Sequence, residues 1–347
     1  MIFITLLVLV ISSVLALRVE YQPVRNRHVY SYYGFCLLLI CVCGFRIGDE
    51  MPDFATYEAH YYGIDSVSNA FLLEPSFVFI VKIANLIQED DPRILFVIYA
   101  ILGVSLKFFA IKKLSKYIFF SVAIYISNYF ILHEMIQIRT GVASGIILLS
   151  LVHVYKREKG KFILCILGAS LFHYSAVIFL FQWFLKPNRF NAYYNVALIP
   201  FAYVIHFINF DLLKFAAQYL PLNGTKLVAY FDRFDLFSID VFGIFILTRI
   251  ILYLYFVIYA KRIKGYNKYF YLLIKSYGVG LFAYIALSVY PEVAVRLAQT
   301  LFAAEIIIIP TLILTFKDRR LSRLAVLSYG LLAFSFNVYF TTYFNYK

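Results

Sequence analysis

Charge is scarce in this chain: 15% of its 347 residues are Asp, Glu, Lys or Arg, against about a quarter in an ordinary soluble domain. A sequence so poor in charge does not cover a soluble surface. Cysteine is scarce as well. The four residues, Cys36, Cys41, Cys43 and Cys165, all lie inside apolar runs and away from any His-rich ligand pattern, which points to buried thiols rather than disulfides or metal. There is no P-loop, dinucleotide-binding glycine pattern, HExxH helix or GxSxG elbow, which argues against nucleotide-driven and standard hydrolase chemistry. Met1 to Leu17 lacks the basic flank of a signal peptide. Positive charge follows it instead, at Arg18, Arg25 and Arg27, so it reads as a first span with its N terminus outside.

What the chain does have is apolar surface: 63% of residues are hydrophobic and 20% aromatic, with 31 Tyr and 37 Phe. Rings in such number suit interfacial belts and packed bundles, and sugar stacking equally. The formal charge of +13 mainly reflects cytoplasmic loops and gives no ground for nucleic-acid binding. The expected fold is an all-α polytopic integral membrane protein, a single domain over residues 1–347. It should hold about 10–12 transmembrane helices, since most apolar runs can cross about 30 Å of hydrocarbon.

Orientation follows from Lys and Arg, which gather in Arg18 to Arg27, Lys112 to Lys116, Lys156 to Lys161, Lys261 to Lys268 and Lys317 to Arg323. The positive-inside bias makes all five segments cytoplasmic. Parity then leaves two apolar runs that do not cross. Phe71 to Gln88 is interrupted by Glu74-Pro75, contains Lys82 and runs into Glu89-Asp90-Asp91, so it is expected as an interfacial or re-entrant helix (near 71–88) on the outer side. Phe162 to Leu185 is expected to break near Phe172-His173-Tyr174-Ser175 into two half-helices that enter and return (162–185). Irregular backbone at membrane depth needs protein or a wet cavity to satisfy it, so a cavity is expected beside His173.

This topology leaves outer loops at about 46–70 and 211–240 and puts several arginines on the outer side against the bias. Arg46 ends the second span, Arg139 opens an apolar helix, Arg233 lies in the long loop and Arg296 opens a later span. Each could snorkel to headgroups, or the four could converge on one anion. The planar guanidinium suits phosphate oxygens and stays charged at any relevant pH. Behind Arg139, the small pairs Thr140/Ser144 and Gly141/Gly145 should let neighbouring helices approach closely. The first outer loop carries Asp49, Glu50, Asp53, Glu58 and Asp65 against Arg46 alone. Asp53 and Tyr57 would share a helix face, a carboxylate beside a ring that suits carbohydrate, although a plain acidic outer loop looks the same. Tyr230 and Asp232 repeat the theme before Arg233. His133 and His173 are candidate bases or hydrogen-bond donors, and either could equally be a polar contact inside the bundle. Glu305, an intramembrane carboxylate, should face the interior.

In order along the chain stand Phe45-Arg46-Ile47-Gly48 followed by Asp53 and Tyr57, Glu74-Pro75-Ser76-Phe77, Ile138-Arg139-Thr140-Gly141-Val142-Ala143, Phe172-His173-Tyr174-Ser175-Ala176, and Arg296 opening a span that closes with Ile309-Pro310. In these segments the sequence resembles the EpsG family of Wzy-like polysaccharide polymerases, over about Phe45 to Pro310. It departs from the family in the longer spacing from Arg46 to Asp53, where Gly-Thr-Asp is frequent. The resemblance implies polymerisation of polyprenyl-diphosphate-linked oligosaccharide repeat units into O-antigen, exopolysaccharide or capsule. The implied setting is the outer face of a bacterial cytoplasmic membrane, among membrane lipids, with a flippase and a chain-length regulator as candidate partners.

On that reading Arg46, Arg139, Arg233 and Arg296 hold the diphosphate, and His173, Asp53 and His133 are the candidate catalytic groups. Tyr57, Tyr230 and Asp232 contact sugar, and neither metal nor cofactor is invoked. A lipid-linked glycosyltransferase or ligase would use the same donor, and a flippase of lipid-linked sugars is the alternative from another class. The topology is testable: single cysteines near Asp65 and Thr225 should react with an impermeant reagent from outside, and those near Lys159 and Lys264 only after permeabilisation. Outside labelling near Lys264 would overturn the parity argument.

Overall fold

The computed structural model of the chain describes residues 2–18, 26–46, 51–64, 73–213 and 238–339. Among these residues the regular elements are helices, with no strand. The helices are α1 (Ile2–Arg18), α2 (Asn26–Gly44), α3 (Phe54–Tyr62), α4 (Pro75–Ile87), α5 (Arg93–Leu114), α6 (Ile118–Tyr125), α7 (Ile138–Lys156), α8 (Lys159–Phe172), α9 (Ala192–Phe207), α10 (Ile244–Lys264), α11 (Phe270–Ala286), α12 (Pro291–Phe302), α13 (Glu305–Ile308) and α14 (Arg319–Tyr339). A π-helical stretch, Ile126–Ile136, continues α6, and 3-10 stretches run over Tyr174–Phe184 and Ile309–Leu314. Every apolar run in the sequence carries a helix.

Six described helical segments are long and apolar enough to cross a membrane: Arg93–Leu114, Ile118–Ile136, Ile138–Lys156, Ile244–Lys264, Pro291–Leu314 and Arg319–Tyr339. The shorter apolar helices include α1, α2, α4, α9 and α11. The chain is an all-α, multi-pass membrane protein. Pro75 and Pro291 occupy the first turns of α4 and α12, where a missing N–H removes no helical bond. Asn191 caps α9 by accepting from the Tyr193 and Tyr194 amides, and Asp318 does the same for Arg320 and Leu321. The capping Asp318 explains why α14 begins at Arg319, ahead of the apolar run expected from Leu324. Of the four cysteines, Cys36 and Cys43 are buried, Cys165 is half-buried and Cys41 is exposed, so burial holds for only part of the set. Cys41 lies on a face of α2 that the bundle leaves uncovered.

The chain divides into two compact units, Met1–Phe184 with Glu305–Lys347, and Leu185–Ala304. No composition shift marks the boundary at Leu185 or at Ala304; only packing separates the units. In the second, α11 packs against α9, α10 and α12. Gly278 makes room for α10 there, since a Cβ at that position would stand 2.5 Å from the Tyr253 hydroxyl oxygen.

In the first unit, α5 lies between α2 and α7, and α8 lies against α7. The two segments expected not to cross are both short. Helix α4 has 13 residues, about 20 Å of rise. It buries Phe77, Ile80, Val81 and Ala84, the i, i+3, i+4, i+7 spacing of one face, in a cluster with Tyr57, Tyr61, Phe96, Tyr99, Ile138 and Val142.

Helix α8 ends at Phe172, His173 is extended at φ −154° and ψ 113°, and the 3-10 stretch follows. The two arms form a hairpin. Phe162, near the start of α8, meets Trp183, near the end of the 3-10 arm, at 5.6 Å between ring centroids, and Arg157 donates to the Trp183 carbonyl at 2.8 Å. The tip is held against the start of α4: Ser76 donates to the Leu171 carbonyl at 2.7 Å and Tyr174 to the Leu73 carbonyl at 2.9 Å.

Close approach of α5, α7 and the π-helical stretch depends on three glycines. A Cβ on Gly103 would sit 1.9 Å from a Glu134 carboxylate oxygen, one on Gly141 would sit 2.1 Å from the His133 carbonyl oxygen, and one on Gly145 would sit 2.9 Å from the Leu106 Cβ. The small-residue spacing read from the sequence therefore serves tight packing. Gly103→Ala should destabilise the protein by about 1–3 kcal/mol through overpacking. Thermal unfolding in detergent will measure this, and Gly160→Ala, with open space around its Cα, is the neutral control.

Candidate active site

At one end of the first unit meet the end of α2, the short helices α3 and α4, the start of α7 and the tip of the α8 hairpin. Glu74 is the junction. Its two carboxylate oxygens take different partners: Oε2 accepts from Arg139 Nη1 and Oε1 lies 3.3 Å from His173 Nδ1. The Arg139 guanidinium lies 5.5 Å from the Tyr57 ring centroid and 5.7 Å from that of Phe77. Burial by itself would raise the Glu74 carboxyl, but the His173 hydrogen bond and the Arg139 charge outweigh it and hold the group below the usual carboxylate range. An ionised Glu74 only accepts, so His173 donates through Nδ1, which leaves Nε2 as the nitrogen that faces away from the carboxylate.

Arg46 lies behind this pair. Its guanidinium covers the Phe96 ring at 4.2 Å, and Nη1 donates to the Cys43 carbonyl at 2.8 Å and reaches the Glu134 carbonyl at 3.5 Å. The residue is 7% exposed, yet Nε and Nη2 have no partner among the described residues. Buried guanidinium N–H groups left unmet are costly, and an anion would satisfy them. Tyr57 packs edge-on against Phe96 and tilted against Phe77, so one buried ring supports the aromatic shelf under both arginines.

Below the arginines is a buried ion pair that sequence inspection passes over. Lys107, from the middle of α5, is 0% exposed and Glu134, from the π-helical stretch, 2%. Lys107 Nζ lies 3.3 Å from Glu134 Oε1 and donates at 2.8 Å to the Gly141 carbonyl in the first turns of α7; Tyr125 donates to the same carboxylate at 3.0 Å. The signal was available: a lysine within Ser105-Leu106-Lys107-Phe108-Phe109, a setting where hydrocarbon tolerates charge only with a partner. The partner cannot be read from the sequence, because 27 residues separate the two.

The structure brings Arg46, Arg139, Tyr57 and His173 together. Asp53 precedes α3 by one position and its carbonyl accepts from the Tyr57 amide at 3.0 Å, which puts the two a helical turn apart as expected. Tyr57 is buried, so its ring supports the arginines and has no open face for a sugar. His133 is fully buried. Ser144 donates its only hydroxyl proton to the Gly141 carbonyl, so His133 donates to Ser144 from Nδ1, at 3.3 Å. This braces the helix from within. Glu305 is inside as expected, accepting from Tyr129 at 2.7 Å.

Arg296 belongs to the second unit, half exposed and paired with Glu292 one turn before it. Arg233, Tyr230, Asp232, Asp49 and Glu50 lie outside the described residues. His60 on α3 is a further group not marked by the sequence; it packs edge-on against Phe77 at 6.2 Å. Burial, and then the Arg139 charge, lower its pKa, so it is neutral at pH 7.

A family model described as the EpsG family matches residues 29–347, nearly the whole chain. This chain belongs to the EpsG family. EpsG proteins are Wzy-like polymerases, and the segments that carried the resemblance in the sequence, around Arg46, Glu74, Arg139 and His173, are those that converge here. No curated protein matches the chain. No solved structure matches it. In this EpsG-family chain the Lys107 pair ties α5, the π-helical stretch and α7 beneath the cluster. Lys107→Met should cost about 3–5 kcal/mol by leaving Glu134 buried and unpaired, and adding Glu134→Gln should recover much of that loss. Unfolding midpoints of the two single variants and the double variant will show the coupling.

Proposed function

We propose that the chain polymerises polyprenyl-diphosphate-linked oligosaccharide repeat units at the outer face of a bacterial cytoplasmic membrane. The observation that carries this reading is the Glu74 carboxylate standing between Arg139 and His173, a cation and an imidazole at one end of the unit. Lys112 and Lys113, in the last turn of α5, make the opposite end of that helix the basic one, an end that the positive-inside bias favours for the cytoplasm.

In the reaction the acceptor hydroxyl oxygen attacks the anomeric carbon of the donor sugar as its proton passes to His173 Nε2. The bond from that carbon to the diphosphate oxygen breaks, and the electron pair leaves on the diphosphate. Arg139 and Arg46 stabilise the charge that develops there, guanidinium donors held close to the leaving group. The products are a glycosidic bond and free polyprenyl diphosphate, with the proton on His173. His173 is favoured over His133 because it stands at a hairpin tip, half-buried, whereas His133 is sealed inside. The apolar helices give the lipid tail of the donor a surface to lie against.

Purified protein in nanodiscs, supplied with lipid diphosphate-linked repeat units, should yield a ladder of products. Arg139→Lys should abolish most of the ladder, because an ammonium cannot reproduce a bidentate phosphate contact. His173→Gln should slow transfer by roughly 10²-fold or more. Redistribution of the substrate across vesicles without new bonds would make the protein a flippase and refute the proposal.

A further inference from the structure

We infer that Glu74 is a positioning residue that couples donor binding to the base: the diphosphate draws Arg139 away from Glu74, and the released carboxylate turns on His173. This rests on the polymerase reading above. The argument begins with one carboxylate and two claimants. Glu74 is 6% exposed and answers both Arg139 and His173, one through each oxygen. Among the described residues, the only other group that bonds the carboxylate is the backbone N–H of Glu74 itself. His60 and Tyr99 also sense its charge, and neither has a hydrogen bond to it.

The mobile partner is Arg139. Its side chain is 23% exposed, against 7% for Glu74, so an incoming phosphate reaches the arginine first. A dianionic or trianionic ligand offers the guanidinium more charge than a carboxylate does. As Arg139 turns toward it, Glu74 loses its counter-charge and keeps the His173 Nδ1–H and its own backbone N–H. An uncompensated buried carboxylate is costly unless a neighbour becomes positive, and His173 becomes positive when it takes the acceptor's proton. The imidazolium is thus stabilised only when donor is bound. The hairpin tip fixes this geometry, since Ser76, next but one to Glu74, bonds the Leu171 carbonyl and Tyr174, next to His173, bonds the Leu73 carbonyl.

The signature is a variant that binds more tightly and reacts more slowly. Glu74→Gln keeps size and acceptor but removes the anion that competes for Arg139. Polyprenyl diphosphate binding to the purified variant should tighten roughly 5-fold or more, by the reciprocity of coupled sites. Single-turnover transfer from saturating donor should fall roughly 10²-fold. Because Glu74 acts through His173, Glu74→Gln with His173→Gln should be no slower than His173→Gln alone.

Weaker diphosphate binding with slower transfer would mean that Glu74 merely holds the fold, and an unchanged transfer rate would also overturn the inference. If Glu74→Gln fails to accumulate, Glu74→Asp replaces it: a shorter carboxylate should slow transfer without weakening binding, and equal loss of both again refutes it. Failure of wild-type protein to form any glycosidic bond would refute the polymerase reading instead, while the binding comparison still tests the competition for Arg139.

Discussion

A lysine and a glutamate shut away from water have to meet, and the meeting of Lys107 with Glu134 is the constraint on which the first unit depends. Each charge alone in a low-dielectric interior would cost roughly several kcal/mol even after the surroundings relax. Lys107 therefore takes Glu134 and the Gly141 carbonyl, and Glu134 takes Lys107 and Tyr125. Those contacts pull α5, the π-helical stretch and α7 so close that Gly103 and Gly141 leave no room for a methyl group. The same backbone carries the functional groups: Arg139 lies two residues before Gly141, and the Glu134 carbonyl lies under Arg46.

The two arginines brought to this end are not equivalent. Arg46 is deep, with two guanidinium nitrogens lacking a partner among the described residues, whereas Arg139 is more open and already neutralised by Glu74. A buried, unmet cation favours an anion strongly and has little freedom to move. A paired, more exposed one can exchange partners. On the proposed reading, that difference would let one arginine anchor a phosphate while the other senses it, a division that two equally exposed residues could not achieve.

Irregular backbone recurs where the site is built. The π-helical stretch closes through a bond from the Gln137 amide to the Leu132 carbonyl at 2.7 Å, one residue wider than an α-turn, and α7 begins immediately after it with Arg139 in its first turn. The 3-10 arm of the hairpin rises faster than an α-helix, about 2.0 Å against 1.5 Å per residue. Its 11 residues therefore match the 14 of α8 in length, and the chain returns level with where it entered. Both departures place a charged or titratable group at a helix end.

Much of this was legible from the sequence. Apolar runs set the helices because twenty or so residues without charge have few alternatives in hydrocarbon, and the parity of basic loops marked Phe71 to Gln88 and the break near His173 as unlike the rest. The ordered segments around Arg46, Arg139 and His173 pointed to the family. Glu74 reads in the sequence as an interruption before Pro75, Lys107 as one charge in a span, and Tyr57 as an open ring for sugar. Their roles depend on partners 65, 27 and several tens of residues away. Local patterning reports which surface a residue prefers; whether a charge meets a phosphate, a carboxylate or nothing is decided only when distant helices pack.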